Sequence, residues 1–206
     1  MRPERLPLFP LSLVLFPGEQ LPLHIFEQRY RRMARTCIEE RSPFGVVLAH
    51  SDGTAKVGCT AEIIEVTQRY SDGRLDVITV GREPFRVREF FKESLLLEAD
   101  VEYPEDRDTE APELLKNELI SLYETCHTLL FADLPQDFVD AAPGTLAYSV
   151  ATALPVDLLW KQQILELRAE SEREERLVAY LRGWAPHLLK VQARHQTAGG
   201  KGHGSN

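Results

Sequence analysis

Pro7, Pro10 and Pro17 decide how this chain can begin. They punctuate the apolar run "LPLFPLSLVLFP" from Leu6 to Pro17, and each ring removes a backbone N–H and clashes with the carbonyl one turn back. A helix is thereby ruled out for the run. A secretion signal needs a basic start, an unbroken apolar stretch and a small-residue cleavage site. Arg2 and Arg5 supply the first, but "PGEQLPLH" beyond Phe16 offers no such site. A membrane-spanning helix needs roughly 20 apolar residues, more than any run of the sequence provides. The remaining reading is a short buried strand, "LPLFPLSLVLF", a turn at Pro17-Gly18 and a second extended piece at "QLPLH". The opening is then the first piece of a fold, and the protein is expected to be cytoplasmic.

A chain of 206 residues with 43% hydrophobic content suits one large or two small domains with an ample core. Cys37, Cys59 and Cys126 are odd in number and far apart, which argues against a disulfide framework or a zinc site. The formal net charge of -8 makes the average surface repel polyanions, so nucleic-acid binding would depend on a local basic patch.

From Phe26 to Glu40, "FEQRYRRMARTCIEE" repeats Phe26, Tyr30, Met33 and Cys37 at helical spacing, with Arg29, Arg31, Arg32 and Arg35 on the remaining surface. The period then changes to two. "FGVVLAH" has the length of a buried strand, and the stretch from Val57 to Phe90 reads as a β-meander with a tight turn at Asp72-Gly73. In "LLLEADVEY", Leu97, Ala99, Val101 and Tyr103 alternate with acids, one face to the core and one to solvent. Phe85 and Val87 likewise face inward, leaving Arg82, Arg86 and Arg88 outside. "PEDRDTEAPE", residues 104–113, has linker composition. Beyond it the pattern is helical: an apolar stripe of Leu115, Leu119, Leu122, Cys126 and Leu129, then "TLAYSVATAL", then "VDLLWKQQILELRAE". A last helix is expected to start at Ser171, capped with Glu174 as an S-x-x-E box, to bury Leu177, Leu181 and Trp184, and to stop before Pro186. The tail "TAGGKGHGSN" is expected to be disordered.

Sites for chemistry are hard to find. "GGKGHGS" has Ser205 where a phosphate loop needs lysine, and no strand or helix frames it. Cys126 and His127 are neighbours in sequence, and adjacent helical positions do not face each other. The histidines form no H-x-x-x-H pair, so no metal, cofactor or catalytic residue is expected.

Five pieces carry a resemblance in order and spacing: "LPLFPLSLVLFPGEQLPLHIFEQRY", "FGVVL", "VGCTAEIIEV", "DGRLDVITVGREPFRV" and "LPVDLLWKQQILELRAESEREERL". Together they resemble the N-terminal domain of the Lon proteases, most of all the free-standing bacterial Lon-domain proteins; the same domain type occurs in cereblon. The resemblance implies an α+β fold: a PUA-like β-barrel subdomain with one helix over residues 1–103, the linker at 104–113, a helical bundle over 114–196 and the tail at 197–206. In Lon proteases this domain helps engage substrate proteins, while ATPase and Ser-Lys protease domains, whose motifs are not recognisable here, do the work. The expectation is a non-catalytic module that binds unfolded or specific protein segments, an adaptor or quality-control factor. If a groove accompanies the first helix, its expected contacts are Phe26, Tyr30 and Met33 for apolar grip and Glu27 and Arg29 for register. Phe9, Phe16 and Phe26 are each assigned to the core, with an exposed one marking a binding patch. The alternative is RNA binding by the barrel through Arg82, Arg86 and Arg88, and the acidic total speaks against it.

Overall fold

The computed structural model describes residues 2–51, 53–92, 95–108, 110–131, 135 and 145–199, with side chains described as far as residue 194. The elements in chain order are β1 (Arg5–Leu11), β2 (Gln20–Ile25), α1 (Gln28–Glu40), β3 (Phe44–His50), β4 (Gly53–Arg69), β5 (Leu75–Phe91), β6 (Glu98–Glu102), α2 (Glu113–Phe131), α3 (Leu146–Ala153), α4 (Leu158–Glu166) and α5 (Glu170–Gly199). They form two compact units: Met1–Glu105 with Pro155–Leu167, and Asp106–Leu154 with Arg168–Asn206.

In the first unit the sheet order is β2-β5-β4-β3-β1-β6, and β6 pairs back onto β5, so β1, β3, β4, β5 and β6 close a ring. Closure rests on the length of β5. Its first half, from Leu75 to Val80, pairs with β2, and its second half, from Arg86 to Phe91, pairs with β6. Register shifts between Cys59 and Ala61, Ile63 and Glu65, and Val66 and Gln68 bend β4 against β5, the usual way a strand is coiled enough to close a barrel. All pairings are antiparallel except β1 with β3.

The proline-punctuated opening is extended, as expected, but β1 ends at Leu11 rather than Phe16. Val14, Leu15 and Phe16 are still buried. They are held by the turn at Pro17-Gly18, where the Gly18 N–H donates to the Gly81 carbonyl at 2.8 Å and the Gly81 N–H donates to Glu19 at 2.9 Å. Only glycine fits at position 81, because a Cβ there would lie 2.1 Å from the Phe16 carbonyl oxygen. Phe9 and Phe16 are core, whereas Phe26 is 60% exposed, a correction to the expectation for that residue. It precedes α1 instead of opening it, so the apolar stripe of the helix starts at Tyr30.

Within the barrel unit one apolar cluster joins Phe9, Leu15, Ile25 and Phe44 to the buried face of α1, and another packs Leu6, Leu8, Val47, Phe85, Val87, Ala99 and Val101. α4 belongs to this unit and not with the other helices. Asp157 caps it by accepting from Leu159 and Trp160, and buried Gln162 donates through Nε2 to the Val57 carbonyl at 3.0 Å. Its Ile164 and Leu165 are fully buried.

The second unit packs α2, α3 and α5, with Leu119, Tyr123 and Cys126 inward from α2 and Leu177 and Leu181 from α5. Two expectations for α5 fail. The helix continues through Pro186 to Gly199; Pro186 and Arg182, whose carbonyl the proline leaves without an N–H partner, are both exposed residues. The cap is not the S-x-x-E box. The Asp108 carboxylate accepts from the Ser171 N–H at 3.2 Å and from its Oγ at 2.8 Å, which also holds the Asp108 carboxyl below its ordinary range. Residues 200–206 of the expected tail lie outside the described residues.

Glu174, freed from capping, is fully buried, and neither carboxylate oxygen has a hydrogen-bond partner among the described residues. Burial, with Glu170 one turn back and Glu113 on α2, outweighs Lys116 and Arg173 and pushes its carboxyl up to about 7. An unfolded glutamate titrates near 4.3. Between these values the folded state binds more protons than the unfolded one, so this contribution is full at low pH and is lost as pH rises to about 7. Denaturant melts at pH 5 and pH 8 are expected to show a smaller pH loss in Glu174→Gln than in the wild type; equal losses would place the titration elsewhere.

Candidate cleft beside the first helix

α1 buries Tyr30, Met33, Ala34 and Cys37, the i, i+3, i+4, i+7 stripe of an amphipathic helix. Phe9 stacks on Tyr30 at 4.0 Å between ring centroids. The five residues expected to form one binding surface are therefore divided. Tyr30 and Met33 are 7% and 3% exposed. Glu27 is the N-cap residue of α1 and pairs with Arg29 at 2.8 Å, whose guanidinium lies 4.6 Å from the Tyr30 ring centroid. Phe26 sits apart, beside His24 of β2 with ring centroids 6.0 Å apart. His24 Nδ1 is 2.5 Å from Asp76, and the Tyr70 hydroxyl donates to the other oxygen of that carboxylate at 2.8 Å. These two bonds hold the Asp76 carboxyl below its ordinary range.

The outer flank of α1 borders a cleft of about 650 Å³ between the helix, the start of β1 and the segment before β6. Pro7, Met33, Pro43 and Leu96 give it an apolar lining, and Leu95 stands on its rim, 79% exposed. Arg5, Arg29 and Arg32 contribute cations, and Glu40 and Glu98 anions. Arg5 is held by Glu98 at 2.9 Å and lies 4.0 Å from the Phe91 ring centroid. Arg29 and Met33 are the residues of the expected site that the cleft contains. Leu95, Leu96 and Arg32 were not anticipated: alternation in "LLLEADVEY" puts Leu95 in phase with Leu97 on the core face and only Leu96 out of phase, whereas the strand itself starts at Glu98.

The arginines of the alternative basic site have acidic neighbours at the surface. Arg82 pairs with Glu62 at 2.7 Å, and Arg88 and Arg86 share Glu102 at 2.9 and 3.9 Å. A phosphate backbone would compete with these acids. Among the described residues no three His, Cys, Asp or Glu side chains are placed to hold a metal ion. Cys37, Cys59 and Cys126 are free and buried, and burial pushes all three thiols up, away from the reactive thiolate. No helix among the described residues is long and apolar enough to cross a membrane.

The family profile of the ATP-dependent protease La (LON) substrate-binding domain matches residues 5–183. Lon protease 2 of Syntrophobacter fumaroxidans is 30% identical over 194 residues, covering 87% of this chain and 24% of that protein. Cereblon of Danio rerio is 37% identical over 95 residues, covering 42% of this chain and 22% of that protein. The chain thus spans about a quarter of the length of these relatives. Among solved structures, a Lon N-terminal domain protein from Xanthomonas campestris superposes with a TM-score of 0.69 at 29% identity, covering 85% of this chain and 98% of that one. The N-terminal domain of the Mycobacterium avium complex Lon protease shares the fold, with a TM-score of 0.63 at 16% identity over 86% of this chain and 97% of that one.

Proposed function

Because the chain belongs to the LON substrate-binding domain family, we propose that it is a non-catalytic protein-binding module that captures exposed segments of partner proteins in the cleft beside α1. An adaptor or quality-control role follows from that activity. The observation that carries the reading is the cleft itself, an apolar floor rimmed by exposed Leu95 on a surface whose charges are mostly paired. Covering an exposed leucine is worth about 1.5–3 kcal/mol, enough to anchor a transient contact when a few neighbours join it.

The test is fluorescence anisotropy with a labelled, permanently unfolded polypeptide. Leu95→Ser is expected to weaken binding about tenfold with no loss of stability, since Leu95 is exposed. Unchanged affinity would remove the cleft from the proposal. A loss confined to Phe26→Ala would move the binding surface to the His24–Phe26 patch on β2.

A further inference from the structure

Between its Glu27 N-cap and its Arg41 C-cap, the charges within α1 run against the helix dipole. A helix favours acids in its first turn and bases in its last. α1 has no acid in its first turn and no base in its last. Instead Arg29, Arg31 and Arg32 occupy its first two turns, and Glu39 and Glu40 end it. Two of the arginines have local partners: Arg29 pairs with Glu27, and Arg31 donates to the Asp72 carbonyl at 2.5 Å. The Arg32 side chain makes no ion pair or hydrogen bond among the described residues, and neither does that of Glu40. Both line the cleft. Fold stability alone does not account for this order of charges, because the reverse order would favour the helix.

Eight residues of α-helix separate Arg32 from Glu40, about 12 Å along the axis. Extended chain rises about 3.3 Å per residue, so the two charges are spaced for side chains about four residues apart on a peptide. We propose that the cleft takes an extended segment carrying an acidic residue opposite Arg32 and a basic residue about four positions away opposite Glu40, with apolar residues between them over Met33 and Leu96. This rests on the cleft being the binding site, and it names the class of segment bound there. The charges select and orient the segment, while the apolar floor supplies most of the affinity.

The experiment compares two labelled peptides of the form Glu-Leu-Val-Leu-Lys and Lys-Leu-Val-Leu-Lys, each within Gly-Ser flanks, on the wild type, Arg32→Glu and Leu95→Ser. The wild type is expected to prefer the first peptide by about two- to fivefold, with the preference fading at high salt. Arg32→Glu is expected to invert that preference and to melt no lower than the wild type. Equal binding of both peptides by the wild type and by Arg32→Glu, with Leu95→Ser weakening both, would overturn the charge proposal and leave the cleft reading standing. Binding of neither peptide, or binding indifferent to Leu95→Ser, would overturn both. A marked loss of stability in Arg32→Glu would show that the arginine serves the fold and would also overturn the proposal.

Discussion

Arg173→Ala is expected to cost the helical unit about 3–5 kcal/mol, the usual consequence of removing one partner from a buried ionic network. Arg173 is fully buried and each branch of its guanidinium is used. Nε donates to Glu170 at 2.8 Å, one terminal nitrogen donates to the Tyr148 hydroxyl at 3.0 Å, and the other donates to Asp106 at 2.5 Å. The cation also lies 4.5 Å from the Tyr148 ring centroid. Glu170, 1% exposed, spends its second oxygen on the Ala147 N–H at 2.9 Å, one of the donors that α3 leaves unpaired in its first turn. One side chain therefore ties residue 106 and α3 to the start of α5. Without it Glu170 is left charged and buried, and the Tyr148 hydroxyl loses the guanidinium hydrogen bond. A domain's whole stability is about 5–15 kcal/mol, so a loss of this size is expected to melt α2, α3 and α5 early in urea, followed by circular dichroism. Arg182→Ala, which removes a surface pair with Glu118, is the control and is expected to cost under about 1 kcal/mol. Equal midpoints for the two variants would show that the buried network does not hold the unit.

That network shows where reading the sequence stopped. Residues 104–113 have the acidic, proline-containing composition of a linker, yet Asp106, Arg107 and Asp108 bind Arg173, Glu172 and Ser171 at the start of α5. Composition records what a segment would do alone, and the partners lie more than 60 residues away. The same limit explains α5. Ser171 and Glu174 have capping-box spacing, but Asp108 supplies the cap and Glu174 turns inward. The barrel was more legible because its signals are local: prolines bar a helix from the opening, alternation sets the faces of β6, and Asp72-Gly73 marks the β4–β5 turn, where Gly73 has φ 87°. For the cleft, the helix bearing it could be read from its period, and its boundary could not. Phe26 fits the helical stripe by spacing, but Glu27 is the N-cap residue, which leaves Phe26 on the outside. The facing wall, Leu95 and Leu96, is brought to α1 by β6 pairing with β1 and β5, a consequence of barrel closure that no local pattern announces.

The second large effect lies at that closure, where Phe85 is fully buried over two glycines. A Cβ at Gly45 would come within 2.7 Å of the tip of the Phe85 ring and 2.6 Å of a Leu8 methyl; a Cβ at Gly58 would meet the same ring at 2.7 Å but the Val46 carbonyl oxygen at 2.3 Å. Phe85→Ala is expected to cost about 3–5 kcal/mol through lost burial and the cavity left behind. Gly45→Ala and Gly58→Ala alone are each expected to cost about 1–3 kcal/mol by overpacking. The double variants should then diverge. With the ring gone, the methyl at position 45 has only side-chain ends to displace and enters the cavity, so Gly45→Ala is expected to cost little or nothing in the Phe85→Ala background. Gly58→Ala is expected to keep its cost there, because backbone rather than the ring blocks it. Urea melts of the single and double variants measure the coupling directly. Additivity at both glycines would mean that the ring does not close the barrel by filling the space they leave, and a rescue at Gly58 equal to that at Gly45 would mean that β3 and β4 yield more readily than their close approach at Val46 implies.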